Sequence, residues 1–412
     1  MNNLVEWLRA AGRGVRLVWM QAGVTLLILL VIDGIAIVAL HSEPAEDPRA
    51  RADGYHNAAW TPEYFGEYAS MRVRWQPYAY WVGAEYESKY INVDAAGFRR
   101  TLGGEDRPDC KHPARIFTFG GSTMWGEGAR DDETIASWIQ SMLDSEQMCA
   151  QVTNMGQDGY VSTQEVLLLA EQLRRGSIPD LVIFYDGYND VFAAENNGVA
   201  GLTYNEETRR KEFNLLSYPR RLYLSAASRF VLDTGVGELA KRLLVKMRPN
   251  QFSEIQGRLV RTGAARVKAI RLEDDQKLQE SVVRLYLLNK ILADAMASKY
   301  GFRSLTYWQP CLLDKNQVTV YEKSQKETRF LPGEPEFDRA ISRRIAQIGA
   351  QSGIHDLSGV FHDVTEPYFI DEAHVTGEGN RIVAKAMLAD IEAALRSVKP
   401  PGATGLEGGA PK

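Results

Sequence analysis

Cysteine is scarce in this chain: three residues in 412, at positions 110, 149 and 311, with no Cys-x-x-Cys pair among them. Histidine is scarce too, with six residues scattered along the length. Neither supplies the clustered spacing of a metal site, so no metal and no cofactor is expected. No large excess of charge is present either. The formal net charge is −5, too mild a field to argue for a nucleic-acid partner. There is no internal repeat, which sets repeat architectures aside. Proline (16) and glycine (35) stand near ordinary usage, which excludes fibrous and low-complexity classes. What remains is an ordinary globular composition, long enough for one large α/β domain with additions or for two smaller domains.

One long apolar run stands out, residues 17–40, LVWMQAGVTLLILLVIDGIAIVAL. At about 1.5 Å per residue a helix of that length crosses a hydrocarbon core of roughly 30 Å. Arg9, Arg13 and Arg16 precede it, and Glu43, Glu46 and Asp47 follow. By the positive-inside rule residues 1–16 are cytoplasmic and the rest of the chain is outside, in the periplasm of a Gram-negative cell. The competing reading is a cleaved signal peptide. Its apolar core is normally shorter, and the best small-residue pair here, Ala36 and Ala39, lies inside the run. Asp33 is a costly residue within the span, to be met by a partner helix or by the outer interface.

Residues 41–113 are rich in Tyr, Trp and charge and lack a helical period, and read as an irregular wrap with short strands. From residue 114 the pattern changes. ARIFTFGG (114–121), AQVTNMG (150–156) and DLVIFYDG (180–187) are short apolar runs ending in glycine, as buried strands do. Between them lie helical stretches at 131–146 and 163–176, the second capped by Ser162 or Thr163. Strand–helix–strand alternation is the signature of a parallel sheet with crossover helices. A helical insert at about 193–275 interrupts the rhythm, which resumes with a helix at 277–299 and a strand at 302–310. A loop, a helix near 337–351, a short apolar segment at 354–361 and a final helix at 377–397 follow. The tail 399–412 is rich in Pro and Gly and reads as disordered. Within the insert, residues 241–271 are strongly basic. They read either as a solvated helical face or as a contact for anionic headgroups or an acidic polymer.

Chemistry-bearing residues gather at strand ends, where ligands bind in open parallel sheets. Ser122 follows two glycines after the first strand. Alone, a Gly-Gly-Ser-Thr turn is ordinary loop chemistry. Gly156 and Gly159 close the second strand, where backbone N–H groups can turn to a ligand. Asn189 follows the third strand and can offer its amide to an oxyanion; Asp190 beside it reads as a loop-holding residue. Asp371 precedes His374 by three positions, just before the last helix. That offset lets a carboxylate fix one ring nitrogen while the other accepts a proton. His355 and His362 are the rival histidines. Cys110 and Cys149 each precede a strand, at one end of the sheet if those strands are parallel neighbours. A bridge between them fits an exported domain and leaves Cys311 over; three buried free thiols is the alternative.

Serine, glycine, asparagine and Asp-x-x-His in this order resemble the SGNH hydrolases, also called GDSL esterases. The resemblance covers about 114–190 and 303–396. It implies a three-layer α/β/α sheet of flavodoxin-like order over residues 114–398, with Ser122 as nucleophile and Asp371–His374 as its base. The Ser122 and Gly159 N–H groups and the Asn189 amide match the family's oxyanion hole; Gly156 is the alternative register. Gly121 departs from the family's Gly-Asp-Ser. The implied activity is hydrolysis of O-acyl esters on a glycan or lipid through an acyl-serine. The same residues serve an O-acetyltransferase acting on an envelope glycan, and the fold also suits an inactive anchored binding protein.

Overall fold

The computed structural model describes residues 2–40, 47–104, 110–204, 275–330 and 332–397, with a few isolated positions between 206 and 237. The basic stretch 241–271 and the tail 399–412 lie outside these described residues. The chain divides into two compact units, one of 1–45 with 207–265, the other of 46–206 with 266–412.

In the first unit, helix α1 (Asn2–Leu40) contains a segment, Val18–Val38, of mean hydropathy 2.3, long and apolar enough to cross a membrane. Its large apolar side chains, Leu26 to Ile32 among them, are exposed.

The second unit begins with a 3-10 turn (Pro48–Arg51) and helix α2 (Thr61–Ser70). Two small antiparallel pairs follow, β1 (Val73–Gln76) with β2 (Tyr80–Gly83), and β3 (Tyr86–Glu87) with β4 (Asn92–Val93). The expected wrap is therefore more regular than its sequence suggested, and it belongs to the same compact unit as the sheet. An antiparallel bridge between Arg99 and Asn154 joins it to the sheet edge.

The central sheet contains β5 (Ala114–Gly120), β6 (Ala150–Asn154), β7 (Leu181–Asp186), β8 (Arg303–Trp308) and β9 (Ile354–Asp356). All its pairings are parallel, in the order β6-β5-β7-β8-β9. This is the flavodoxin-like order, with the reversal of winding between β5 and β7. Every residue of β7 is buried, because helices cover both faces, and such strands read as unbroken apolar runs. Alternate side chains serve opposite faces. Ile116, Leu181, Ile183 and Tyr185 pack with α4 (Ile135–Ser145) and the last helix α10 (Gly377–Ser397). Phe117, Phe119, Val182 and Phe184 pack with α5 (Ser162–Arg174) and α7 (Asp275–Tyr300). Helix α9 (Glu334–Ser352) lies against α7 through Ile341 and Ile345.

Three details differ from the sequence reading. Residues 193–197, expected in the insert, continue α6 (Tyr188–Asn197) in the sheet unit. The loop after β8 holds a helix, α8 (Val320–Arg329), which buries only Glu322 and so shows no apolar stripe. Ser162 does not cap α5: its hydroxyl donates to Asp190 at 2.6 Å, and the cap position is Val161. Cys110 and Cys149 are disulfide-bonded, tying the approach to β5 to the start of β6, and Cys311 is a buried free thiol.

Candidate active site

Ser122 opens a one-turn helix, α3 (Ser122–Trp125), at the carboxyl end of β5, and is buried. His374 lies just before α10, and its Nε2 stands 2.7 Å from Ser122 Oγ across a separation of 252 residues. On the other ring edge, Nδ1 is 2.8 Å from both carboxylate oxygens of Asp371. The loop fixes this carboxylate from behind. The N–H groups of Ala373 and His374 donate to Asp371 Oδ1 at 3.0 and 2.8 Å. Ser122, Asp371 and His374, three of the residues singled out in the sequence, thus meet in one hydrogen-bonded line.

The rival histidines are engaged elsewhere. His355 Nδ1 pairs with Asp390 at 2.8 Å, and His362 is exposed beside Asp363 and Asn316.

Asn189 follows β7 at the first turn of α6, and its amide donates to Tyr160 O at 2.8 Å. A Cβ on Gly121 would fall 2.2 Å from Asn189 Nδ2. In this structure the Asn189 amide therefore occupies the space that a side chain at position 121 would take, beside the backbone just before Ser122. One amide hydrogen serves Tyr160, and the amide has a second. Asp190, next to it, accepts from Ser162 N and Oγ and so holds the start of α5 against α6.

The two candidate glycines differ. Gly156 donates its N–H to Asn154 Oδ1, and a Cβ there would meet Trp125 N at 2.5 Å. Gly159 lies in the Gln157–Tyr160 turn at φ +71°, a conformation suited to glycine. Trp81 Nε1 donates to Asp158 O at 2.8 Å. Since the peptide is planar and trans, the Gly159 N–H points to the opposite side from Trp81.

Two residues that sequence reasoning missed complete the electrostatics. Glu127 Oε2 stands 3.2 Å from His374 Nε2. Arg49 Nη1 reaches Glu127 Oε1 at 2.5 Å and Asp371 Oδ2 at 3.1 Å, while its other nitrogens hold Asp47. Burial of His374 works to lower its pKa, but Asp371 and then Glu127 outweigh it and push it up to about 10. Burial works to raise Asp371, and the His374 imidazolium and Arg49 outweigh it, holding the carboxyl well below its usual range. The one local signal for Glu127 was its place between two glycines, Gly126 and Gly128. Arg49 gave none.

A scan against protein-family models finds no match, and neither does a search of curated proteins. Among solved structures, the chain is similar to a carbohydrate acetylesterase family member from Sinorhizobium meliloti, at 12% identity and a TM-score of 0.37, over 68% of this chain and 99% of that one. It is similar to a GDSL-like lipase from Bacteroides thetaiotaomicron at 14% identity and a TM-score of 0.34, over 68% and 89% of the two chains. A lipolytic protein of the G-D-S-L family from Veillonella parvula gives 13%, 0.33, 67% and 96%. What the chain shares with these proteins is a distant likeness of fold.

Proposed function

We propose that this chain is a membrane-anchored, extracytoplasmic serine esterase of the SGNH/GDSL type, hydrolysing O-acyl esters of a glycan or lipid. The observation that carries the reading is the line Asp371–His374–Ser122, with one imidazole bridging carboxylate and hydroxyl. In this reading α1 is the anchor, and residues 47–397 outside the insert form the catalytic unit. The Cys110–Cys149 bridge supports an oxidising compartment.

Ser122 Oγ attacks the ester carbonyl carbon as its proton passes to His374 Nε2. Asp371 steadies the imidazolium, and the Ser122 and Gly159 N–H groups with the Asn189 amide receive the oxyanion. The C–O bond to the alcohol breaks, and the departing oxygen takes the proton from Nε2. Water then attacks the acyl-serine, gives a proton to His374, and releases the acid as Oγ recovers that proton. A glycan hydroxyl in place of the water gives transfer instead.

The test uses the full chain in detergent. Ser122→Ala should abolish turnover of a short-chain aryl acetate, and a fluorophosphonate should label Ser122. Wild-type turnover by the variant, or an adduct on another serine, overturns the reading. Acceptor sugars in the same assay separate hydrolysis from transfer by their acylated product.

A further inference from the structure

Glu127 stands on a loop built to hold it. Gly126 and Gly128 flank it at φ +98° and +87°, so the chain doubles back on both sides of the glutamate. The Glu127 N–H donates to Ser122 O at 3.0 Å, tying the loop to the serine itself. Arg99, almost fully buried, donates to the carbonyls of Gly126 at 2.7 Å and Ala129 at 2.6 Å, pairs with Asp131 at 3.0 Å, and stacks on Trp125. Tyr55 donates to Gly128 O, and Gly128 N donates to the Tyr64 hydroxyl. The result is a buried carboxylate fixed 3.2 Å from the ring nitrogen that also meets Ser122.

That nitrogen has two faces to its chemistry. In the neutral ring with its proton on Nδ1, Nε2 is an acceptor, good for the Ser122 hydroxyl and repelled by a carboxylate. Once Nε2 carries the proton, it becomes a donor that both Ser122 and Glu127 accept. A carboxylate there disfavours the first form and favours the second.

Resting on the esterase reading above, we infer that Glu127 is a positioning residue of the catalytic centre. Its carboxylate, held by Arg49, braces the Nε2 edge of His374 and favours the imidazolium formed when Ser122 gives up its proton. Arg49 opposes it, because one guanidinium neutralises both carboxylates that flank the ring. The pair sets the working pH of the base from both sides.

Other charged and titratable groups face this network. Asp47 holds Arg49, the Tyr68 hydroxyl from α2 reaches the Glu127 carboxylate, and Asp158 stands within electrostatic reach from the turn after β6. Tyr55 and Tyr64 from the N-terminal segment, and Glu372 with Arg329 behind it, complete the surroundings. None of them contacts Nε2 as Glu127 does, so the test bears on Glu127 and Arg49.

The experiment is the pH profile of kcat/KM for a short-chain aryl acetate, with the full chain in detergent. Glu127→Gln should move the acid limb down by about one pH unit or more, and should lower the alkaline plateau severalfold while leaving KM nearly unchanged. Arg49→Gln should move the limb the other way. Glu127→Asp should restore the wild-type profile in part, and serves with Arg49→Gln if Glu127→Gln fails to fold. Limbs of wild type and Glu127→Gln that superimpose, or two variants that shift in the same direction, overturn the inference. Fluorophosphonate labelling of wild-type Ser122 separates the two failures. Labelling with unmoved limbs sinks this inference alone, and absence of labelling sinks the esterase reading and this one together.

Discussion

Gly121 is the position at which the site can be tested with the smallest perturbation, one methyl group. Its backbone angles, φ −78° and ψ −155°, suit any residue, so Gly121→Ala brings no backbone strain. The added Cβ would stand 2.2 Å from Asn189 Nδ2, whereas ordinary contact begins at 3.4 Å, so the amide must retreat by about 1.2 Å. Asn189 is the only neighbour that close; Tyr160 O, at 3.3 Å, is near its limit. Misplacing a catalytic group by about 1 Å costs on the order of 100-fold in rate. Outright loss of one oxyanion donor costs about 2.7–4 kcal/mol. Gly121→Ala should therefore lower kcat by about 100-fold, and Asn189→Ala by at least as much. Because the methyl acts through the amide, the double variant should be no slower than Asn189→Ala alone. The assay is aryl acetate turnover of the four proteins, each checked by thermal melting to be folded at the assay temperature. If Gly121→Ala stays within twofold of wild type, or if the two losses multiply, the amide is not the group that the glycine makes room for.

Further outcomes follow from the buried charges and the crosslink. His374 is held at about 10 against an ordinary 6.5, so its network stabilises fully below pH 6.5 and fades as pH rises through about 10. Urea unfolding of wild type should weaken over that window, and His374→Gln should lose that part of the slope. Glu165 faces Asp186 in the interior, and burial first, then Asp186, pushes its pKa well above the ordinary 4.5. Its stabilising protonated form is complete below pH 4.5 and is lost as pH rises. Glu165→Gln should accordingly raise stability by about 1–3 kcal/mol at pH 8 and change little at pH 4, read by the same titration. The Cys110–Cys149 bridge spans 39 residues, a loop whose closure contributes about 3–4 kcal/mol. The double serine variant should lose that much in denaturant unfolding, and an unchanged midpoint would contradict it.

The sheet was legible in the sequence because strands buried on both faces are unbroken apolar runs, as in Leu181–Tyr185, and helical stretches alternate with them. The order serine, glycine, asparagine, Asp-x-x-His was legible because each member stands at a strand end or a helix entrance. Residues 47–104 were legible only in part: short strands were expected, but helix α2 and the packing around it were not. Their aromatic side chains pack edge to face on one another, as Tyr55, Trp60, Tyr64 and Phe65 do, and such a cluster has no linear period. Helix α8 was missed because it has no buried apolar face: its one buried side chain, Glu322, is charged and pairs with Lys315 in the interior. Arg49 and Glu127 were out of reach for another reason. Their partners lie 78 and 322 residues away from Arg49, and no local pattern records a contact of that range.

The stretch from residue 47 to residue 104 therefore cannot be treated as a passive stalk. It contributes the guanidinium between the two acids, and Arg99, Tyr55 and Tyr64 clamp the loop of chain that follows Ser122. A version of the protein trimmed to begin at β5 would retain the five strands and every residue of the resemblance, yet lack the parts that aim them. On the esterase reading, a protease acting on this stretch would abolish turnover without touching Ser122, Asp371 or His374.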